Sequence, residues 1–140
     1  MNVALLEKII EAIQAQPEKF DMSRWFNRLQ DENDNFCGTT QCIGGWALVL
    51  GMSIDPIEDI YYTENDGSRL AESANGEKQW INDIAQKVLD LSFCQADRLF
   101  HVMNWNEKFM RDYDDAQTPE EKAAVAVARI RHFIATEGRE

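Results

Sequence analysis

The 140-residue sequence predicts an all-α fold, with about six helices around a glycine-containing central helix and room for one small hairpin near residues 60–72. Three observations predict it. Apolar residues recur at helical spacing in separate stretches, from Leu6, Ile9, Ile10 and Ile13 to Ala126, Val127, Ile130 and Phe133. Helix-starting chemistry stands between such stretches, at Ser92 with Gln95 and at Thr118, Pro119 and Glu121. No stretch reads as a strand of a parallel sheet. A chain of this size fits a single domain, residues 1–140, and hides roughly 68–70% of its unfolded surface. Its 44% hydrophobic and 10% aromatic content is that of a folding chain and not of a disordered one.

The elements follow in order. Residues 2–16 form an amphipathic helix that Pro17 ends. Phe20, Met22, Trp25, Phe26 and Leu29 suggest a short helix capped by Asp21 or Ser23. Residues 30–36 are a polar loop. The central helix runs from Thr39 to Leu50, with Gly51 as its C-cap. Gly44 and Gly45 inside it weaken it by roughly 1 kcal/mol each, a cost that points to another backbone packed close there. Pro56 can open a short helix, and Asn65-Asp66-Gly67 signals the turn of a hairpin. A helix over residues 77–91 places Trp80, Ile81, Ile84, Ala85, Val88 and Leu91 on one face. A helix capped by Ser92 follows, then a short one from Glu107 to Tyr113. The last begins at Pro119 and is closed by Gly138.

Charge narrows the function classes. The chain carries 25 acidic and 14 basic side chains, a net charge of −11. That balance disfavours direct contact with nucleic acid, which needs surplus Lys and Arg for phosphates, and it disfavours anionic membranes. The acidity is uneven: residues 55–115 hold 14 acidic and 6 basic groups, while residues 116–140 hold 4 of each. The longest uncharged run, the 19 residues from Phe36 to Ile54, has the length of a membrane span. Its glycines, threonines and Gln41 dilute it, and acids without bases flank it, so a buried helix is the better reading. Glu7 and Lys8 follow the first apolar residues at once, unlike a signal peptide. Three cysteines leave one thiol without a mate and suit a reducing cytoplasm.

The segment Cys37-Gly38-Thr39-Thr40-Gln41-Cys42-Ile43-Gly44-Gly45-Trp46-Ala47 resembles a family of small bacterial and phage proteins, largely of unassigned function, with a Cys-Gly-Thr-x-x-Cys-Ile-x-Gly-Trp-Ala signature. Phe20-Asp21-Met22, Trp25-Phe26, Ala96-Asp97, Leu99-Phe100, Asn104-Trp105 and Ala128-Arg129-Ile130 extend the similarity along the chain. Asn106 stands where relatives often carry proline. The resemblance implies a prokaryotic or viral origin and one small domain, and it carries no reaction with it.

Several constellations invite chemistry. Cys37, Cys42, Cys94 and His101 are an alternative zinc set, but the spacing is loose, and Cys94 and His101 lie two helical turns, ~10 Å, apart. The expectation is therefore no metal and no cofactor, with Cys42 a small buried hydrophobe. A Cys37–Cys42 disulfide requires Cys37 to lie outside the helix. Cys37 before a helix start has some character of a nucleophile, but only His101 and His132 could serve as its base. The loop at Asp31, Asn33 and Asn35 fails as a calcium site, since Phe36 and Cys42 stand where glycine and glutamate are required, and the loop around Asp66-Gly67 fails because Ser73 holds the glutamate position. Trp25, Trp46, Trp80 and Trp105 read as core. Two binding readings remain. Gly38, Thr39, Thr40 and Gln41 could bind an anion or nucleotide at the start of the central helix. Asp55, Glu58, Asp59, Glu64 and Asp66 could meet a basic surface of a protein partner. The reading favoured is a non-enzymatic acidic interaction protein, with the ligand binder and a small cysteine-dependent enzyme as alternatives.

Overall fold

The computed structural model of the protein describes residues 1–30, 36–56, 58–62, 69–72 and 78–139. Six α-helices dominate it: α1 (Val3–Ala15), α2 (Ile43–Met52), α3 (Ile81–Val88), α4 (Phe93–Phe100), α5 (Glu107–Asp115) and α6 (Pro119–Ala135). Two small antiparallel sheets accompany them. One pairs β1 (Phe26–Gln30) with β2 (Phe36–Gln41). The other joins β3 (Ile60–Tyr62), β4 (Arg69–Glu72) and β5 (Lys78–Trp80). The hairpin expected near residues 60–72 is thus β3–β4, and its turn lies outside the described residues.

Most helix boundaries follow from capping. Asn2 Oδ1 accepts the Leu5 N–H and opens α1. Ser92 with Gln95 and Thr118 with Glu121 close reciprocal capping boxes at α4 and α6. Gly138, at φ +67°, takes the left-handed turn after α6, and its N–H donates to the Phe133 carbonyl.

Four expectations are corrected. The cluster from Phe20 to Leu29 is not a helix: it leads into β1, where Phe26 faces Gln41 and Arg28 faces Thr39. Thr39 and Thr40 therefore lie in a strand, which suits their β-branching. The central helix starts at Ile43 instead of Thr39 and ends on Ser53, at φ 55°. Gly51 is a packing position instead of a cap, since a β-carbon there would lie 2.9 Å from Leu5 Cδ2. Trp80 ends β5 and caps α3, and it is 53% exposed.

One hydrophobic core holds the helices together. Leu6, Ile9 and Ile13 of α1, Ile43, Ala47 and Leu48 of α2, and Ala126, Ile130 and Phe133 of α6 are fully enclosed. Helix α1 packs on both α2 and α6, and α3 also packs on α2. No helix among the described residues is long and apolar enough to cross a membrane. The uncharged run 36–54 is divided between β2 and α2.

Candidate functional site

The start of α2 is where sequence placed its most distinctive motif, and it is a packing junction. The chain from Phe20 to Phe26 crosses this helix end. The Asp21 N–H donates to the Gln41 carbonyl at 3.2 Å, and the Cys42 N–H donates to the Trp25 carbonyl at 3.3 Å. Trp25 lays its ring over Gly44, where an added β-carbon would sit 2.9 Å from Trp25 Cε3. At Gly45 an added β-carbon would meet the Trp25 carbonyl oxygen and Gln41 Cβ. The glycine pair is the surface on which another backbone rests, as its helix-weakening cost implied.

The four residues read as a ligand site at the helix start lie ahead of that helix. Gly38, Thr39, Thr40 and Gln41 belong to β2, and Thr40 and Gln41 are buried. Thr39 Oγ1 donates to Gln41 Oε1 at 3.3 Å. Thr40 Oγ1 and Trp46 Nε1 are buried with no hydrogen-bond partner among the described residues.

The thiols are separated. Cys42 is the N-cap residue of α2, is enclosed in the core and is not disulfide-bonded. Burial pushes its thiol up to about 11, against a smaller opposite pull from the Gly45 and Gly44 amides. It is a protonated thiol at neutral pH, the reverse of an activated nucleophile. Cys94 is exposed on α4. Cys37 sits in β2, and its side chain lies outside the described residues. Among the described residues no three His, Cys, Asp or Glu side chains gather to hold a metal ion. Cys42, Cys94 and His101 are therefore not brought together.

His101 has a different neighbourhood from the one sequence suggested. Its Nε2 lies 3.9 Å from Asp97 Oδ1, one turn away. Asn104 Nδ2 donates to Asp97 Oδ2 at 3.0 Å, and Trp25 meets the imidazole edge-on. The spacing of Asp97 and His101, i to i+4, was the available signal for this pairing. Both side chains are nearly half exposed, at 46% and 44%. The two make an exposed contact between an imidazole and a carboxylate.

The acidic turn is where the structure gathers predicted site residues. Asp55 and Glu58 are exposed between α2 and β3, and Asp59 is half-buried. The carboxylates divide their labour. Asp59 Oδ2 accepts the Asp55 N–H at 2.7 Å, and Asp55 Oδ1 accepts the Glu58 N–H at 3.4 Å. Asp55 and Asp59 thus hold the turn, and the Glu58 carboxylate projects from it. Glu64 and Asp66 lie outside the described residues.

The chain matches no protein-family model, no curated protein and no solved structure.

Proposed function

We propose that this chain is a non-enzymatic acidic interaction protein that meets a basic surface of a protein partner through the turn at residues 55–59. The observation that carries this reading is the convergence of Asp55, Glu58 and Asp59 on one exposed turn of a chain with net charge −11. Two of the three carboxylates fix the backbone, so the patch is presented pre-formed and loses little freedom on binding. Free Cys42 and Cys94 thiols suit a cytoplasmic setting, and the Cys-Gly-Thr-x-x-Cys-Ile motif supports a prokaryotic or phage origin.

The test is capture from extract of the source cell at graded salt, with the bound proteins identified. Electrostatic recognition weakens as the screening length falls from about 10 Å at 0.1 M salt to about 3 Å at 1 M. A basic partner should be retained at low salt and lost at high salt. Glu58→Gln with Glu64→Gln should reduce retention, and Glu58→Gln alone should leave melting unchanged, because the turn's hydrogen bonds use the Asp55 and Asp59 carboxylates. Retention that ignores both salt and the substitutions would place any interaction elsewhere.

A further inference from the structure

We propose that the groove between α1 and α6 seats a second copy of this chain, its α6 antiparallel to the first. The groove encloses about 380 Å³, walled by Gln14 and Pro17 on one side and by Glu120, Ala124, Val127 and Arg131 along α6.

Ala123 and Ala128 of α6 line the groove as well. At 100° per residue the six α6 residues fall within an arc of roughly 140°, one face of the helix. The seam is self-complementary when reversed. A twofold axis between residues 125 and 126 sets Glu120 opposite the second copy's Arg131. It sets the exposed Ala124 opposite the second copy's Val127, which is 4% exposed at the floor of the groove. Two ion pairs then close the ends, and the small alanines let the helices approach. Among the described residues, neither Glu120 nor Arg131 has a salt-bridge partner. The antiparallel arrangement also sets each helix N-terminus against the other's C-terminus, which the helix dipoles favour.

Charge selects this occupant over others. Residues 116–140 carry 4 acidic and 4 basic groups, whereas residues 55–115 carry a net −8. Two copies of a chain with net charge −11 repel on most faces. They repel least where α6 meets α6. A strongly basic segment would find Arg131 against it, and a strongly acidic one Glu120. This contact is independent of the acidic turn, so either assignment can fail without the other.

Sedimentation velocity from about 1 μM to about 1 mM covers the span of weak self-affinity. A reversible dimer is expected. Glu120→Lys alone and Arg131→Glu alone should each weaken it about tenfold, because each turns two attractive pairs repulsive. The two together should restore it. Glu120 lies in the first turn of α6, where a lysine also opposes the helix dipole. Ala124→Arg, mid-helix on the exposed face, tests the seam without that cost and should abolish the dimer with melting unchanged. A monomer at every concentration overturns the proposal. So does a dimer that survives Ala124→Arg, or one that the paired reversal fails to rescue.

Discussion

At the residue scale, two cysteines separated by burial behave as different chemical groups. Cys94 is exposed and Cys42 enclosed. Iodoacetamide should modify Cys94 at the rate of an open thiol. Cys42 should react only through unfolding, which peptide mapping over time would show. Equal rates would contradict the packing around the α2 start. Cys42 also sets a pH dependence. Its folded value, about 11, stands above the ordinary 9.0. Its contribution is therefore complete below pH 9 and is lost as pH rises toward 11, by about 2 to 3 kcal/mol for two units. Tyr113 acts alike at higher pH. Burial, the largest cause, raises its hydroxyl from 10.0 to about 12, so its contribution fades between those values. Denaturant midpoints from pH 8 to about 11 should fall in the wild type. They should fall less in Cys42→Ala, whose remaining slope begins near pH 10. Identical slopes would mean that the thiol ionises freely in the folded protein.

The glycine pair gives a second prediction at this scale. Gly45→Ala should destabilise by about 1–3 kcal/mol or more. Gly44→Ala should cost less. The obstacle at Gly45 includes the Trp25 carbonyl oxygen, which moves only with the main chain. The obstacle at Gly44 is the Trp25 ring, a half-buried side chain that can turn aside. Thermal melts of the two variants give the order, and a neutral Gly45→Ala would mean that the close approach has no energetic weight.

Among the elements, Gln95 links two helix ends. Its Oε1 accepts the Ser92 N–H at 2.9 Å, which completes the α4 capping box, and its Nε2 donates to the Glu137 carbonyl at 2.9 Å beyond α6. Ser92→Ala removes one cap contact and should cost about 1 kcal/mol. Gln95→Ala removes contacts at both helices and should cost more. Adding it to Ser92→Ala should be less than additive, because the two share the capping box. Urea midpoints of the three variants test this, and full additivity would mean that the box does not act as a unit.

Capping was the part of the fold most legible in sequence. Ser92, Gln95, Thr118, Pro119 and Glu121 announce α4 and α6, because a cap involves neighbours three residues apart and needs no distant partner. The first sheet was illegible for the opposite reason. Trp25, Phe26 and Leu29 fit a helical stripe as well as a strand, and only the pairing of β1 with β2 decides between them. The start of α2 moved with that pairing, because Thr39 and Thr40 are held in β2. The acidic turn was half legible: the sequence grouped Asp55, Glu58 and Asp59, but only the structure showed that Asp55 and Asp59 bond to its backbone.

Over the whole molecule, the net charge of −11 acts as self-repulsion. The side-chain ion pairs among the described residues are mostly local, such as Lys108 with Asp112 and Arg111 with Glu107 one helical turn apart. Such exposed pairs contribute little. Screening should therefore relieve more repulsion than it removes attraction. Melting temperature should rise with sodium chloride up to about 0.5 M, beyond which the screening length is already short. A fall over that range would mean that attractive pairs outweigh the net repulsion.

Sequence by itself determined the helical character, the two capping boxes, the acidic balance and the reason for a glycine pair. Each of these follows from composition or from residues a few places apart. Tertiary structure alone decided what lies over the glycines, which is Trp25 and its carbonyl. It alone decided that Cys94 is open, and that Trp80 faces solvent while Trp46 and Trp105, read as core along with it, are enclosed. It also set Tyr113 to accept the Met22 N–H from 91 positions away. The physical reason is the range of the interactions. Periodicity and caps are written in adjacent turns of one helix, but burial depends on which distant surface arrives, and a stripe of apolar residues does not name its partner.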